Sequence, residues 1–400
     1  MKPLTLHFKE HEMKEFIGYG RQWLDDVEIK EVLGVLTSDF LSSGPKIKEF
    51  EERLTAHTGA RYCAAVSSGT AGLHLAVKVL EIENGKQGIT SPITFIATSN
   101  SLIYNNLRPD FADIHEKTLC LDSLELEKHI TPDTAVVIPV HFAGQPAEME
   151  KINEIARKQG IFIIEDAAHA IGSKYENGKP VGSCCWADMT VFSFHPVKTI
   201  TTGEGGAITT NDKTLYEKLI MLRNHGMTKD PAKLKAQGPS PDIGPWYYEM
   251  QELGYNYRMT DIQAALGVGQ LIKLDRFIKR RREIIARYND AFKNLEGLTI
   301  PYERPGVFSA LHLYVIRIDF ERIGKTRAQV MNELKAKAIG TQVHYIPVHL
   351  QPYYQEHFKF KKGDYPKAER YYRQCLSIPL YPKMTDDDVQ RVIDAIVELF

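Results

Sequence analysis

The sequence predicts an α/β protein with a mostly parallel central sheet, followed by a smaller C-terminal α/β part. Two observations support this prediction. Short apolar and β-branched runs, such as YCAAV at 62–66 and IFIIE at 161–165, alternate with helix-patterned segments through the first two thirds of the chain. The runs are apolar on both faces, as expected for strands that helices cover on both sides. Functional loops of such a sheet gather at the carboxyl ends of its strands.

The predicted elements follow one another in a regular order. The strands of the first part are expected at 62–66, 88–90, 108–112, 135–139, 161–165, 189–193 and 206–210. The helices between them are expected at 70–81, 96–105, 123–130, 147–159 and 213–223. The later elements are one long helix at 259–290, a strand at 311–318, and helices at 326–338 and 385–399.

The same pattern predicts two domains. A chain of 400 residues is long enough for a large cored domain and a smaller one. We expect the large domain at 1–275, with an N-terminal arm, and the small domain at 276–400. A loop rich in Pro, Gly and Lys is expected at 229–245.

The composition excludes several classes of partner. Lys and Arg number 50 against 51 Asp and Glu, and no basic run occurs, which argues against nucleic acid or an anionic membrane as the main partner. No apolar run approaches the ~18 residues of a membrane span, and charges interrupt the N-terminus before a signal peptide could form. The five cysteines are odd in number and irregularly spaced, unlike a disulfide framework. We therefore expect a cytoplasmic protein.

A metal site has little support. Cys184, Cys185, His195 and His141 are the candidate ligands, but neither C-x-x-C nor H-E-x-x-H occurs. Adjacent buried cysteines that pack as small hydrophobic residues explain the pair better.

Three segments carry side chains suited to chemistry. Asp166 ends a buried strand, where it is either a helix N-cap or a buried carboxylate that pairs with a cationic ring nitrogen. Lys198 follows the strand at 189–193 in FHPVKTITTGEGG, where Pro196 prevents the ladder from continuing. The segment VSSGTAGLHLA at 66–76 ends a strand and starts a helix, as a phosphate cradle or a simple helix cap would. Taken singly, each segment also fits an ordinary structural role, namely a helix cap for Asp166 and for VSSGTAGLHLA, and a solvated surface charge for Lys198.

Taken together, the segments resemble fold-type I enzymes that depend on pyridoxal 5'-phosphate (PLP), and specifically the DegT/DnrJ/EryC1/StrS sugar aminotransferase family. The resemblance spans nearly the whole chain, and its specific segments are SSGTAGLHLA, EDAAHAIGS, FSFHPVKTITTGEGGAITTND and LGYNYRMTDIQAALG. It implies a fold-type I transferase. It also implies that Lys198 binds PLP as a Schiff base and later moves a proton, that Asp166 keeps the pyridine nitrogen protonated, and that His169 reaches the ring's 3-oxygen or Asp166.

The resemblance also implies the remaining contacts of the cofactor. Phe95 would stack on the pyridine ring, while Gly69, Thr70 and Ser193 would bind the phosphate. Asn256 matches a position that family members insert across a dimer interface to the partner's phosphate. We therefore expect a homodimer. For Phe95 and Asn256 the alternatives are a core aromatic residue and a turn asparagine.

The substrate prediction rests on resemblance to one branch of the family, the UDP-sugar 4-aminotransferases of pseudaminic acid biosynthesis. The supporting segments are IGYGRQWLDDVEI, FHPVKTITTGEGG, WYYEMQELGYNYRMTDIQ and QVHYIPVHLQPYY. Gly18 and Ser42 depart from the residues common there, proline and threonine. The branch implies transfer of an amino group from glutamate to carbon 4 of a UDP-linked 2-acetamido-2,6-dideoxy-4-hexulose.

The substrate contacts follow from the same resemblance. The matching positions are Tyr19, Phe40, Leu41, Ser42, Gly69, Ser193, Asn256, Gln342, Val343, His344 and Tyr345. Alternatively, some of these residues only pack the two domains together. Other open possibilities are a dTDP-linked, GDP-linked or 3-keto sugar, a sugar dehydratase, which would have histidine in place of Lys198, and a regulatory member without activity. No arginine is marked as the clamp for the donor's carboxylate.

Overall fold

The computed structural model describes residues 15–235 and 244–400, so the predicted loop at 229–245 lies partly outside the described residues, as do the first fourteen residues. The strands are β1 Tyr62–Val66, β2 Gln87–Thr90, β3 Arg108–Phe111, β4 Thr134–Ile138, β5 Phe162–Asp166, β6 Met189–Ser193, β7 Gly206–Thr210, β8 Met227–Thr228, β9 Glu249–Met250, β10 Leu298–Thr299, β11 Tyr314–Ile318 and β12 Cys375–Ile378. The helices are α1 Asp26–Leu36, α2 Pro45–Thr58, α3 Gly69–Lys78, α4 Ile96–Tyr104, α5 Ser123–His129, α6 Met149–Lys158, α7 Lys213–Leu222, α8 Asp261–Ile272, α9 Leu274–Phe292, α10 Arg327–Ala336, α11 Pro352–Phe358, α12 Pro366–Gln374 and α13 Asp386–Val397.

Seven strands form the central sheet in the order β1-β7-β6-β5-β4-β2-β3. Every neighbouring pair is parallel except the two that β7 makes, since β7 runs antiparallel to both β1 and β6. All seven strands were predicted from the sequence, and the mostly parallel α/β fold is confirmed.

Side chains along each strand point alternately to the two faces of the sheet, and each face packs against its own apolar core. Val136 and Ile138 of β4 pack into one apolar core, while Val137 between them packs into the core on the opposite face. Ile163 and Ile164 of β5 divide between the two cores in the same way. Successive side chains of a strand point to opposite faces, so a continuous apolar run serves two helical layers.

The prediction of one long helix over 259–290 was wrong, because two helices occupy this segment. Helices α8 and α9 meet at Lys273, whose backbone (φ −101°, ψ 0°) closes the first helix. The Lys273 side chain is only 5% exposed, and its Nζ donates to the buried carboxylate of Glu28 at 2.6 Å. This ion pair holds α1 against the junction and fixes the change in direction.

The C-terminal part contains a three-stranded antiparallel sheet in the order β10-β11-β12. Its apolar core includes Tyr288, Ile316, Leu334 and Ile396. Ile17 of the N-terminal segment is 2% exposed in this same core. The N-terminal arm thus packs on the small sheet, and the division at 275 stays a prediction.

Candidate active site

A cavity of about 570 Å3 lies at the carboxyl ends of the parallel strands. The predicted site residues that line it are Tyr19, Gly69, Thr70, Phe95, Asp166, His169, Ser193, Lys198, Gln342, Val343, His344 and Tyr345. The predicted residues that do not line it are Phe40, Leu41, Ser42 and Asn256. Segments from distant parts of the sequence therefore meet where the fold class places a functional site.

Lys198 lies on the loop between β6 and β7. The loop turns after Pro196, and the backbone N–H of Lys198 donates to the carbonyl of His195 at 2.9 Å. Burial lowers the pKa of Lys198 from 10.5 to about 8, and the nearby Asp166 opposes part of this shift. An amine with such a pKa is partly unprotonated at neutral pH, and the unprotonated form is the nucleophile.

Asp166 ends β5 and is 5% exposed. Its Oδ2 accepts a hydrogen bond from the Thr98 hydroxyl at 2.6 Å, and its Oδ1 accepts one from the Ala168 N–H at 3.0 Å. Thr98 is itself hydrogen-bonded to Thr94 at 2.7 Å. These bonds fix the carboxylate at the cavity wall. Neither threonine was predicted from the sequence, because Thr98 lies 68 residues from Asp166 along the chain.

The predicted phosphate cradle is a close junction of α3 with β6. Ser68 caps the helix by accepting the Ala71 N–H at 3.1 Å. A Cβ on Gly69 would lie 2.8 Å from the Cβ of Ser193, so only glycine allows this approach. A Cβ on Gly206 would lie 2.6 Å from the carbonyl oxygen of Ser68. Two tight contacts thus hold the free N–H groups of a helix start beside a serine, an arrangement that suits a phosphate.

His169 lies in a buried group of aromatic side chains. Its Nδ1 is 3.2 Å from the backbone nitrogen of Ala143, and its Nε2 is 3.2 Å from the Tyr345 hydroxyl. The ring of His312 lies 4.6 Å away, between ring centres. Burial and the nearby Lys198 hold the pKa of His169 well below its usual value. No hydrogen bond joins His169 to Asp166 within the described parts of the chain.

His312 was not predicted from the sequence, although it lines the cavity. It is 3% exposed, and its Nδ1 is buried without a hydrogen-bond partner among the described residues. The only sequence signal is a polar residue before the apolar strand β11, which is too common to mark a site.

The opening of the cavity is lined by aromatic and polar side chains. Phe95 is 57% exposed, so the alternative of a core residue does not describe it. The ring of Tyr19 lies 5.4 Å from that of His344, and His344 Nδ1 is 2.7 Å from the Ser377 hydroxyl. Flat rings with polar tips suit the hydroxyl and amide groups of a sugar derivative.

The four predicted residues outside the cavity are all exposed at the surface of the chain. Phe40 and Leu41 are about half exposed. Ser42 pairs through its backbone with Thr260, and Asn256 pairs with Asn224. In one chain these residues do not reach the cavity, so their predicted roles require a second chain.

Within residues 15–235 and 244–400, no group of three or more potential metal-ligating side chains lies together. None of the helices in these two ranges combines the length and the apolar composition that a membrane span requires. His141, a candidate ligand, instead approaches the buried Glu165 at 3.3 Å.

Comparison with known proteins gives a consistent result. The model of the DegT/DnrJ/EryC1/StrS aminotransferase family matches residues 22–397. The spore coat polysaccharide biosynthesis protein SpsC of Bacillus subtilis is 44% identical over 385 residues, which cover 96% of this chain and 97% of that protein. An uncharacterised protein of Methanocaldococcus jannaschii is also 44% identical, over 386 residues, covering 96% and 98%.

Solved structures with the same fold include two aminotransferases. PseC of Helicobacter pylori, involved in the biosynthesis of pseudaminic acid, superimposes with a TM-score of 0.89 at 31% identity, covering 96% of this chain and 99% of that one. A putative sugar aminotransferase of Streptococcus pneumoniae in its PLP form has a TM-score of 0.86 at 30% identity, covering 96% and 100%.

Proposed function

The chain belongs to the DegT/DnrJ/EryC1/StrS aminotransferase family, and we propose that it transfers an amino group from glutamate to carbon 4 of a UDP-linked 4-keto-6-deoxy-N-acetylhexosamine. The family establishes a PLP-dependent sugar aminotransferase. The observation that carries the finer proposal is the cavity, in which Lys198 lies together with the polar aromatic side chains of Tyr19, His344 and Tyr345.

The residues of the cavity fit PLP. The junction of α3 with β6 suits the phosphate, since Gly69 and Ser193 approach more closely than any side chain on Gly69 would allow. Asp166 is almost fully buried in the wall of the same cavity, where a carboxylate can keep a pyridine nitrogen protonated. Phe95 offers an exposed ring for stacking. When bound, PLP supplies an electron-withdrawing ring that stabilises negative charge on the reacting carbon.

The protein's own groups would then move the protons and orient the reactants. Lys198, with its pKa near 8, is suited to take a proton and return it at neutral pH. Thr98 holds the Asp166 carboxylate still, so that the charge opposite the ring nitrogen does not need to reorganise. Tyr19 and His344 would orient the sugar, because binding energy from the parts of a substrate that do not react helps to align the part that does.

The likeness to PseC, an aminotransferase involved in pseudaminic acid biosynthesis, supports a substrate of that pathway, and the likeness to SpsC supports a role in polysaccharide biosynthesis. The choice of carbon 4 rests on the resemblance of the sequence segments given above. A dTDP-linked, GDP-linked or 3-keto sugar is the alternative within the same chemistry. A dehydratase is disfavoured by the retained Lys198, which lines the cavity. We also propose the cytoplasm as the location, on the cysteine pattern.

We propose that the active unit is a homodimer in which Asn256 completes the partner's phosphate site. An exposed apolar surface supports this proposal. Its residues are each about half exposed and lie on or just after α1, namely Ile29, Leu33, Leu36, Phe40 and Leu41. An apolar surface of this kind suits a self-complementary interface with two-fold symmetry.

The substrate proposal is tested by offering UDP-, dTDP- and GDP-linked 4-keto-6-deoxy sugars, and a 3-keto sugar, with glutamate. Formation of 2-oxoglutarate and of the amino sugar is followed. We expect the UDP-linked N-acetylated 4-keto sugar to give the highest kcat/KM. A clear preference for another nucleotide, or for the 3-keto sugar, would overturn the substrate and leave the aminotransferase standing.

A further inference from the structure

The hydrogen bonds of His169 have a fixed direction. A backbone N–H can only donate, so the Ala143 N–H, 3.2 Å from Nδ1, requires that this nitrogen carries no proton. In a neutral imidazole the single proton then lies on Nε2. Nε2 therefore donates to the Tyr345 hydroxyl oxygen, 3.2 Å away.

The donor at Ala143 is held rigidly. Ala143 has φ +55° and Gly144 φ +96°, both in the left-handed region that a chain adopts only where its surroundings require it. The carbonyl of Ala143 accepts the His312 N–H at 2.9 Å, and a Cβ on Gly144 would lie 2.9 Å from the nitrogen of Leu311. Ala143 and Gly144 thus pack directly against the backbone of Leu311 and His312. This packing keeps the Ala143 N–H pointing at His169.

His169 stays neutral because of its surroundings. Burial lowers the pKa of His169, and the positive charge of the nearby Lys198 adds to this shift. The pKa of His312, whose ring lies beside that of His169, is also lowered, by burial of His312 and by the nearby His169. Asp166 is the anionic group nearby, and it takes its hydrogen bonds from Thr98 and Ala168 instead.

The direction of these hydrogen bonds determines how the hydroxyl group of Tyr345 is oriented. Its hydroxyl oxygen accepts from His169, so the hydroxyl hydrogen must point elsewhere, and no second partner for it occurs among the described residues. Burial raises the pKa of Tyr345, so the phenol keeps its proton. Tyr345 also lines the cavity, with its ring 6.3 Å from that of Phe95.

We propose that Tyr345 donates a hydrogen bond to an oxygen acceptor of the bound reactants. Its hydroxyl is oriented by two successive hydrogen bonds, from the Ala143 N–H to His169 and from His169 to Tyr345. Two oxygens have this chemistry, the phenolic oxygen of PLP and an oxygen of the keto sugar. In this scheme His169 is a positioning residue and not a base. The inference deepens the proposed function and rests on it only for the identity of the sugar.

The test uses purified holoenzyme with Tyr345→Phe, His169→Gln and His169→Asn. Glutamine retains a donor near the position of Nε2, whereas asparagine retains only an acceptor for the Ala143 N–H. Tyr288→Phe is the matched control, because its buried hydroxyl donates to the Pro379 carbonyl outside the cavity. Circular dichroism and the thermal midpoint of each variant verify folding.

The first measurement is the pH midpoint of the visible absorption of bound PLP, without sugar. The nitrogen that would join Lys198 to the cofactor carries a positive charge when protonated, and this charge balances the negative phenolic oxygen. When the proton is lost, the negative oxygen is no longer balanced, and a hydrogen-bond donor then stabilises it. If Tyr345 donates to this oxygen, Tyr345→Phe and His169→Asn raise the midpoint by about one pH unit, while His169→Gln stays near wild type. Tyr288→Phe should show no change.

The second measurement is kcat/KM for whichever keto sugar the enzyme accepts, beside the half-reaction with glutamate alone. If the sugar supplies the acceptor, the pH midpoint stays constant, and Tyr345→Phe lowers kcat/KM for the sugar by about tenfold without slowing the glutamate half. The proposal is overturned if Tyr345→Phe changes neither quantity, or if His169→Asn behaves as wild type while His169→Gln does not. The first measurement needs no sugar, so it stands even where the UDP-linked substrate fails.

Discussion

Replacement of Gly69 by alanine tests the phosphate cradle at its narrowest point. The new Cβ would lie 2.8 Å from the Cβ and 3.2 Å from the Oγ of Ser193. Carbon atoms normally pack at about 3.5–4.0 Å, so the start of α3 must withdraw from β6 by roughly 1 Å. Ser193 cannot yield, because its backbone pairs with Gly206, and Gly206 itself packs against the carbonyl of Ser68.

The expected result is a loss of affinity for PLP. Overpacking of this size is unfavourable by about 1–3 kcal/mol, which corresponds to about 5- to 140-fold in the dissociation constant if it falls on the bound state. The assay is a titration of the apoenzyme with PLP, followed by absorbance. Thermal unfolding of the apoenzyme measures how much of the effect falls on stability instead.

The double variant Gly69→Ala/Ser193→Gly identifies the cause. Ser193→Gly alone removes a hydroxyl from the proposed phosphate site and is expected to weaken binding, but it also removes the atoms that the new Cβ would meet. The double variant should therefore bind PLP no more weakly than Ser193→Gly. Additive losses, or unchanged affinity in Gly69→Ala, would show that the close approach does not shape the phosphate site.

Three further predictions concern the reaction and the assembly. Borohydride should fix PLP to the peptide that contains Lys198, and Lys198→Ala should bind PLP without a covalent bond and lose transfer by several orders of magnitude; near-normal turnover would refute its role. Because burial lowers the pKa of Lys198 to about 8, covalent capture of PLP by the apoenzyme should quicken about tenfold per pH unit up to pH ~8 and then level off, whereas a rate still rising at pH 10 would indicate an exposed lysine. Mixing Asn256→Ala with Lys198→Ala subunits should restore part of the activity, since one site of the mixed dimer is then intact; a fully active monomer by light scattering would exclude this arrangement.

The central sheet could be predicted because buried strands consist of short, continuous runs of apolar residues, which are visible in the sequence. Runs such as AVVIP at 135–139 are apolar on both faces and are separated by helix-patterned segments, as expected for strands that helices cover on both sides. Helix α1 could not be predicted in the same way. It exposes Ile29 and Leu33 and buries Glu28, the reverse of the pattern by which a surface helix is recognised.

The candidate site was predictable only where a motif is continuous in the sequence. Asp166 and Lys198 lie in segments with the residue order of a known family, so the resemblance identified them. Thr98 and His312 act through contacts that the fold creates, with Asp166 and His169 respectively. Nothing in their local sequence distinguishes a threonine within a helix or a histidine before a strand from many others.

The reversed direction of β7 also affects the order in which the protein can fold. The pairing of β6 with β7 joins neighbouring segments and closes only the loop at 194–205. The pairing of β1 with β7 joins residues 62–66 to residues 206–210, so it must wait for a much larger loop to close. The helix start at Gly69 directly follows β1, so we expect its contact with Ser193 to depend on the same long-range closure. A cofactor whose phosphate occupies the proposed site beside that contact would bind only the completed sheet, and it should therefore stabilise the sheet against local opening of the β1 edge.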